Sequence, residues 1–110
     1  MKKHQFLISN EEAFHRLTDI VRCKWTLAIL DSLADGVKRP SLIEKKLDGL
    51  SAKVMNERFK KLERFGLIKK TTYSEFPPHV EYDLTDTGKE LVKVLREMRM
   101  FAHNWSKNSS

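Results

Sequence analysis

SLIEKKLDGLSAKVMNERFKKLER, residues 41–64, carries two helix starts separated by a turn. Ser41 followed three residues later by Glu44 has the form of a capping box, in which hydroxyl and carboxylate each satisfy an open backbone N–H. Asp48-Gly49 marks a tight turn, and Ser51 is a second good N-cap. Two helices joined by a three- or four-residue turn containing glycine predict a helix-turn-helix.

The second helix has two unlike faces. At ~100° per residue, Val54, Met55, Phe59, Leu62 and Phe65 share one arc, which predicts a buried face. We assign Lys53, Asn56, Glu57, Lys60, Lys61 and Arg64 to the opposite arc. Arg58 falls near the apolar arc, where an internal ion pair competes with an outward contact. From Ser51 to Lys70 there are seven Lys/Arg against two Glu, so this segment holds a net +5 of the chain's +6. A buried stripe accounts for the apolar half. The cationic half asks for an anionic partner.

Outward from this stretch, the other elements follow from caps and period. Ser9 and Glu12 form another capping box, opening a helix through about Val21 with Ala13, Phe14, Leu17, Ile20 and Val21 on one face. It is a packing helix that can also serve dimerisation, since Phe6, Leu7 and Ile8 precede it and need cover. A second helix runs from Lys24 to Ala34, with Trp25 as a core anchor and Gly36 as the stop. Residues 36–40 are a connector, one or two of which can pair with a sheet.

After Gly66 the period changes. Residues 67–73 and 80–84 are β-prone, and the intervening SEFPPH carries two prolines that bar it from a central strand. A two-stranded hairpin placed directly after such a helix is a wing. Thr85 caps a last helix from Asp86 to about Trp105, with Leu91, Leu95, Met98, Phe101 (or Ala102) and Trp105 recurring at intervals of three and four. That stripe is longer than so small a core can cover, which marks an interface.

Composition narrows the function classes. A 110-residue chain with 40% hydrophobic and 33% charged residues is expected to form one domain, with an N-terminal arm at about 1–8 and a disordered tail at about 106–110. A pI near 9.6 favours nucleic acid or an anionic surface as partner. No apolar run approaches the ~18 residues of a bilayer span. MKKHQFLISNEE begins like a leader, but its apolar run is only FLI, so a cytoplasmic protein is expected. Cys23 is the single cysteine, and the four histidines show no zinc spacing, so neither metal nor cofactor is expected. Arg22, Lys24 and a helix start beside Cys23 can lower its pKa, against the plain alternative of a small buried residue. No Ser/His/Asp grouping, Gly-rich phosphate loop or paired-carboxylate motif points to an enzyme. No aromatic platform points to RNA.

The phrases KWTLAIL at 24–30, LSAKVMNERFKKLERFGLI at 50–68 and PPHVEYDLT at 77–85 resemble the HxlR-type winged helix-turn-helix transcriptional regulators, over about residues 12–105. The resemblance implies a mainly α fold with a small antiparallel hairpin. It also implies a dimeric DNA-binding regulator with dimer contacts from the first and last helices. Many members carry Cys-Pro at the start of the first helix, and some sense oxidants with that thiol; here Glu12 and Ala13 stand there. Cys23 falls where glycine is usual, His79 where arginine is common, and Pro40 where an aromatic is frequent.

The roles expected are these. The helix from Ser51 enters the major groove, Ser51 and the amides after it hold a phosphate, and Lys53 and Asn56 read bases. Lys60, Lys61 and Arg64 meet phosphates. Lys69, Lys70, Tyr73 and His79 set the wing on flanking backbone or minor groove. Phe6, Phe14, Leu91, Leu95, Met98, Phe101 and Trp105 are the expected dimer contacts, and a two-fold dimer asks for an inverted-repeat operator. Two alternatives stay open. One is a protein-interaction module without DNA binding, and the other is a thiol-based redox-responsive regulator acting through Cys23.

Overall fold

The computed structural model describes residues 9–108. In chain order it has α1 (Asn10–Val21), α2 (Lys24–Ala34), α3 (Pro40–Lys46), α4 (Ala52–Arg64), β1 (Ile68–Tyr73), β2 (His79–Leu84) and α5 (Asp86–Asn108). The strands form one antiparallel sheet whose register runs from Ile68↔Leu84 to Tyr73↔His79. Tyr82 N–H also donates to the Lys38 carbonyl at 2.9 Å, so the connector before α3 does pair with the sheet.

Caps explain most of the boundaries. Ser9 Oγ accepts from Glu12 N–H at 2.9 Å, Ser51 Oγ from Val54 N–H at 3.1 Å, and Thr85 Oγ1 from Gly88 N–H at 3.1 Å. Each removes one open donor from a helix start. Gly49 turns the chain between α3 and α4 at φ +91°, in the left-handed region where a side chain is strained. The turn itself occupies residues 47–51. At α3 the expected capping box is absent: the helix starts two residues earlier, with Pro40 in its first turn and Arg39 at the cap position. Proline's fixed φ suits a first helical position, and it places Ser41 inside the helix, where its hydroxyl caps nothing.

The core gathers around Ile29, Leu30, Ile43, Phe59 and Leu62, none of which is exposed. Phe59 of α4 stacks on Tyr82 of β2 with ring centroids 4.1 Å apart. Burying five such side chains, at roughly 1.5–3 kcal/mol each, is the main force holding α4 to the sheet and to α2. Thr85 fastens the far end: its hydroxyl donates to the Gly66 carbonyl at 2.6 Å and its N–H to the Leu67 carbonyl at 3.0 Å. Gly88 then lies so close to this backbone that a Cβ there would run into the Leu67 carbonyl oxygen.

Two expectations about the last helix need correction. Leu95 is only 5% exposed and belongs to the core with Val92, so it is not part of an outer stripe. Val94, one position earlier and exposed, takes its place, giving Leu91, Val94, Met98, Phe101 and Trp105. Adjacent helix positions differ by ~100°, and α5 docks with Leu95 inward. The helix also continues to Asn108, so residues 106–108 are helical rather than tail. Phe6 lies outside the described residues.

Candidate nucleic-acid interface

α4 presents its N-terminal and outer residues to solvent because its apolar arc is fixed against the core through Met55, Phe59 and Leu62. Ser51, Lys53, Asn56, Lys60 and Arg64 are all exposed. Arg64 also lies over the Phe65 ring, 5.7 Å from its centroid. Lys53 and Lys60 have no carboxylate within ion-pair distance among the described residues. Of the sites assigned to this helix, these are the ones the fold brings to one open face.

Lys61 is the exception. Its ammonium donates to Asp19 of α1 at 2.5 Å and its side chain is only 22% exposed. Lys61, then Arg22 at 2.8 Å, hold the Asp19 carboxyl below its ordinary 3.8. This corrects the assignment of Lys61 to a phosphate contact. Its angle on the helix, roughly 20° from Val54, carried the signal. Arg58 also turns inward, donating through Nε to the Cys23 sulfur at 3.2 Å.

Cys23 stands at the cap position of α2 and is half-buried. Burial pushes its thiol up, but the Thr26 hydroxyl and amide and the Arg58 guanidinium outweigh that and leave it lowered to about 7. Arg58 was the element missing from the sequence reading, because it lies 35 residues away.

In the wing, Lys69 and Lys70 are exposed on β1. Tyr73 and His79 are half-buried instead, with rings stacked at 4.7 Å across the neck of the hairpin. His79 Nδ1 faces the Pro77 carbonyl at 3.1 Å; a carbonyl only accepts, so this nitrogen carries the proton. Nε2 lies 3.2 Å from Glu81 and 3.4 Å from Arg39. Both ring nitrogens are thus engaged within the protein, so His79 serves as a clamp on the hairpin rather than as an outward contact. Among the described residues no cluster of His, Cys, Asp and Glu is placed to hold a metal, and no helix is long and apolar enough to cross a membrane.

The profile of the HxlR-like helix-turn-helix family matches residues 20–110. The chain belongs to that family. Among its relatives is the uncharacterized HTH-type transcriptional regulator YvaP of Bacillus subtilis (strain 168), 39% identical over 92 residues that cover 84% of this chain and 85% of the relative. Another, sll1512 of Synechocystis sp., is 34% identical over 94 residues, covering 86% and 70%. A solved structure described as a transcriptional regulator of the MarR family from Enterococcus faecalis V583 superposes with a TM-score of 0.81 at 26% identity, covering 94% of each chain. The reduced form of the transcriptional regulator YodB from B. subtilis superposes at 0.72 with 32% identity, covering 87% and 92%.

Proposed function

We propose that this chain is a homodimeric, sequence-specific DNA-binding transcriptional regulator that works in the cytoplasm on an inverted-repeat operator. The observation that carries it is the outer face of α4, where Lys53, Asn56, Lys60 and Arg64 stand exposed while Arg58 and Lys61 are turned inward. That separation leaves the outward face of one helix, the element a major groove admits. Lys53 and Asn56, near the N-terminus, face base edges; Lys60, Arg64, Lys69 and Lys70 meet phosphates.

Support for the dimer comes from α5. Leu91, Val94, Met98, Phe101 and Trp105 repeat at 3-4-3-4 spacing, the seam of paired helices. The seam runs into a groove of about 560 Å³ between α1 and α5, lined by Ala13, Leu17, Phe65, Leu91 and Val94. Phe14 is exposed on α1. The relatives' names carry the regulator reading. Selecting bound duplexes from a random pool tests it: a two-fold symmetric motif is expected, and affinity should fall by orders of magnitude between about 50 and 200 mM salt. No duplex binding even at low salt would end it.

A thiol-responsive regulator is the second reading, favoured by the Arg58–Cys23 contact that ties a lowered thiol to the reading helix. Alkylating Cys23 and finding operator affinity unchanged would remove it.

A further inference from the structure

We propose that Phe76, at the tip of the wing, is an apolar wedge that enters the minor groove beside each half-site and partly unstacks one base step. The proposal rests on the DNA-binding reading and names a contact that reading lacks. Phe76 is 95% exposed, more than any other large apolar residue described.

Its position is set by packing further back. The chain leaves α4 after Arg64, and the hairpin passes under the middle of that helix where Tyr82 stacks on Phe59. Lys70, which pairs with Tyr82, is three residues before Tyr73, so the hairpin runs on for ~10 Å. The tip therefore lies ~10 Å past that crossing, on the side where Arg39, at the start of α3, approaches His79 and Glu81. It is also held there: Tyr73 and His79 stack across the neck, His79 donates to Pro77, and Arg39 lies 3.9 Å from Glu81. Pro77 and Pro78 restrict the turn itself.

The chemistry of the tip selects its target. Residues 74–78 carry no cation and one carboxylate, Glu75, which is exposed. Such a tip offers no cation to a phosphate, and the wing's cations lie back at Lys69 and Lys70. The apolar surfaces a duplex offers are its base faces and the walls of the minor groove. Side chains such as Phe, Leu and Pro enter there as wedges that kink the helix. A clamped, proline-flanked phenyl ring ahead of two lysines has that form.

The test uses the full chain and a selected duplex with 2-aminopurine at the steps flanking the α4 contact. Wild type should raise the 2-aminopurine fluorescence on binding. Phe76→Ala should abolish the rise and weaken binding about tenfold, within what one base–aromatic stack is worth, while the salt slope and unfolding midpoint stay as in wild type. Phe76→Leu should keep part of both effects. A Phe76→Ala protein that binds as wild type with the same fluorescence overturns the wedge and leaves the DNA reading intact. A wild type that binds no duplex overturns both. Loss of self-association in Phe76→Ala, with DNA binding unchanged, would make the ring a contact between protein copies and likewise overturn the proposal.

Discussion

Cys23 and Arg58 show how two side chains far apart in sequence acquire a chemistry neither has alone. The thiol, lowered to about 7 by Thr26 and Arg58 against the pull of burial, should react with iodoacetamide along a pH curve with its midpoint near 7. Arg58→Ala should move that midpoint up toward the ordinary 9.0, as read by mass spectrometry of timed alkylation. An unmoved midpoint would take Arg58 out of the account. Asn56 and Lys60 can be told apart by a different measurement. Asn56→Ala should relax base preference at one position of each half-site by ~1–3 kcal/mol, read across a randomised operator. Lys60→Ala should weaken all sequences alike and flatten the salt slope by about 1.

Among elements, α1 is tied to α4 by the Asp19–Lys61 pair, and the connector before α3 is tied to β2 by Lys38–Asp83. Lys61 is the first cause lowering Asp19. Burial would raise Asp83, but Lys38 and the Leu84 amide pull it below 3.8. A carboxyl depressed on folding stabilises the native state above its unfolded value, and the gain disappears as pH falls through the folded one. The unfolding midpoint should hold down to about pH 5 and decline below about 4, and Asp19→Asn should show a smaller decline. A variant as acid-sensitive as wild type would mean the pair adds nothing to stability. The element boundaries were legible because Ser9, Ser51 and Thr85 cap helices and Gly36 and Gly66 end them, all of them local signals. Lys61 was misread because its setting depends on a partner 42 residues away.

For the whole molecule, α5 is the long axis. Its 23 residues span ~35 Å, and its last buried residue is Leu95, so some 20 Å of helix extends beyond the core. Met98→Asp should give monomers by sedimentation, with native circular dichroism and lost operator affinity. Leu95→Asp should instead unfold the chain, since it puts a charge among buried side chains. Folded monomers from Leu95→Asp, or dimers from Met98→Asp, would move the contact elsewhere. A heptad written from residues alone admits Val94 or Leu95 equally. Only the docking angle of α5 on the sheet decides between them, and that angle is set by the whole core.

The tight seat of Gly88 on the Leu67 backbone has a mechanical consequence. Gly88→Ala should cost about 3 kcal/mol, at the upper end for overpacking, because the obstacle is main chain and cannot swing aside. With no slack at that joint, the long helix and the reading head behave as one casting. In a paired molecule, any change in the angle at which the two shafts cross is delivered undamped as a change in the span between the two heads, and so as a preference for the number of base pairs between half-sites.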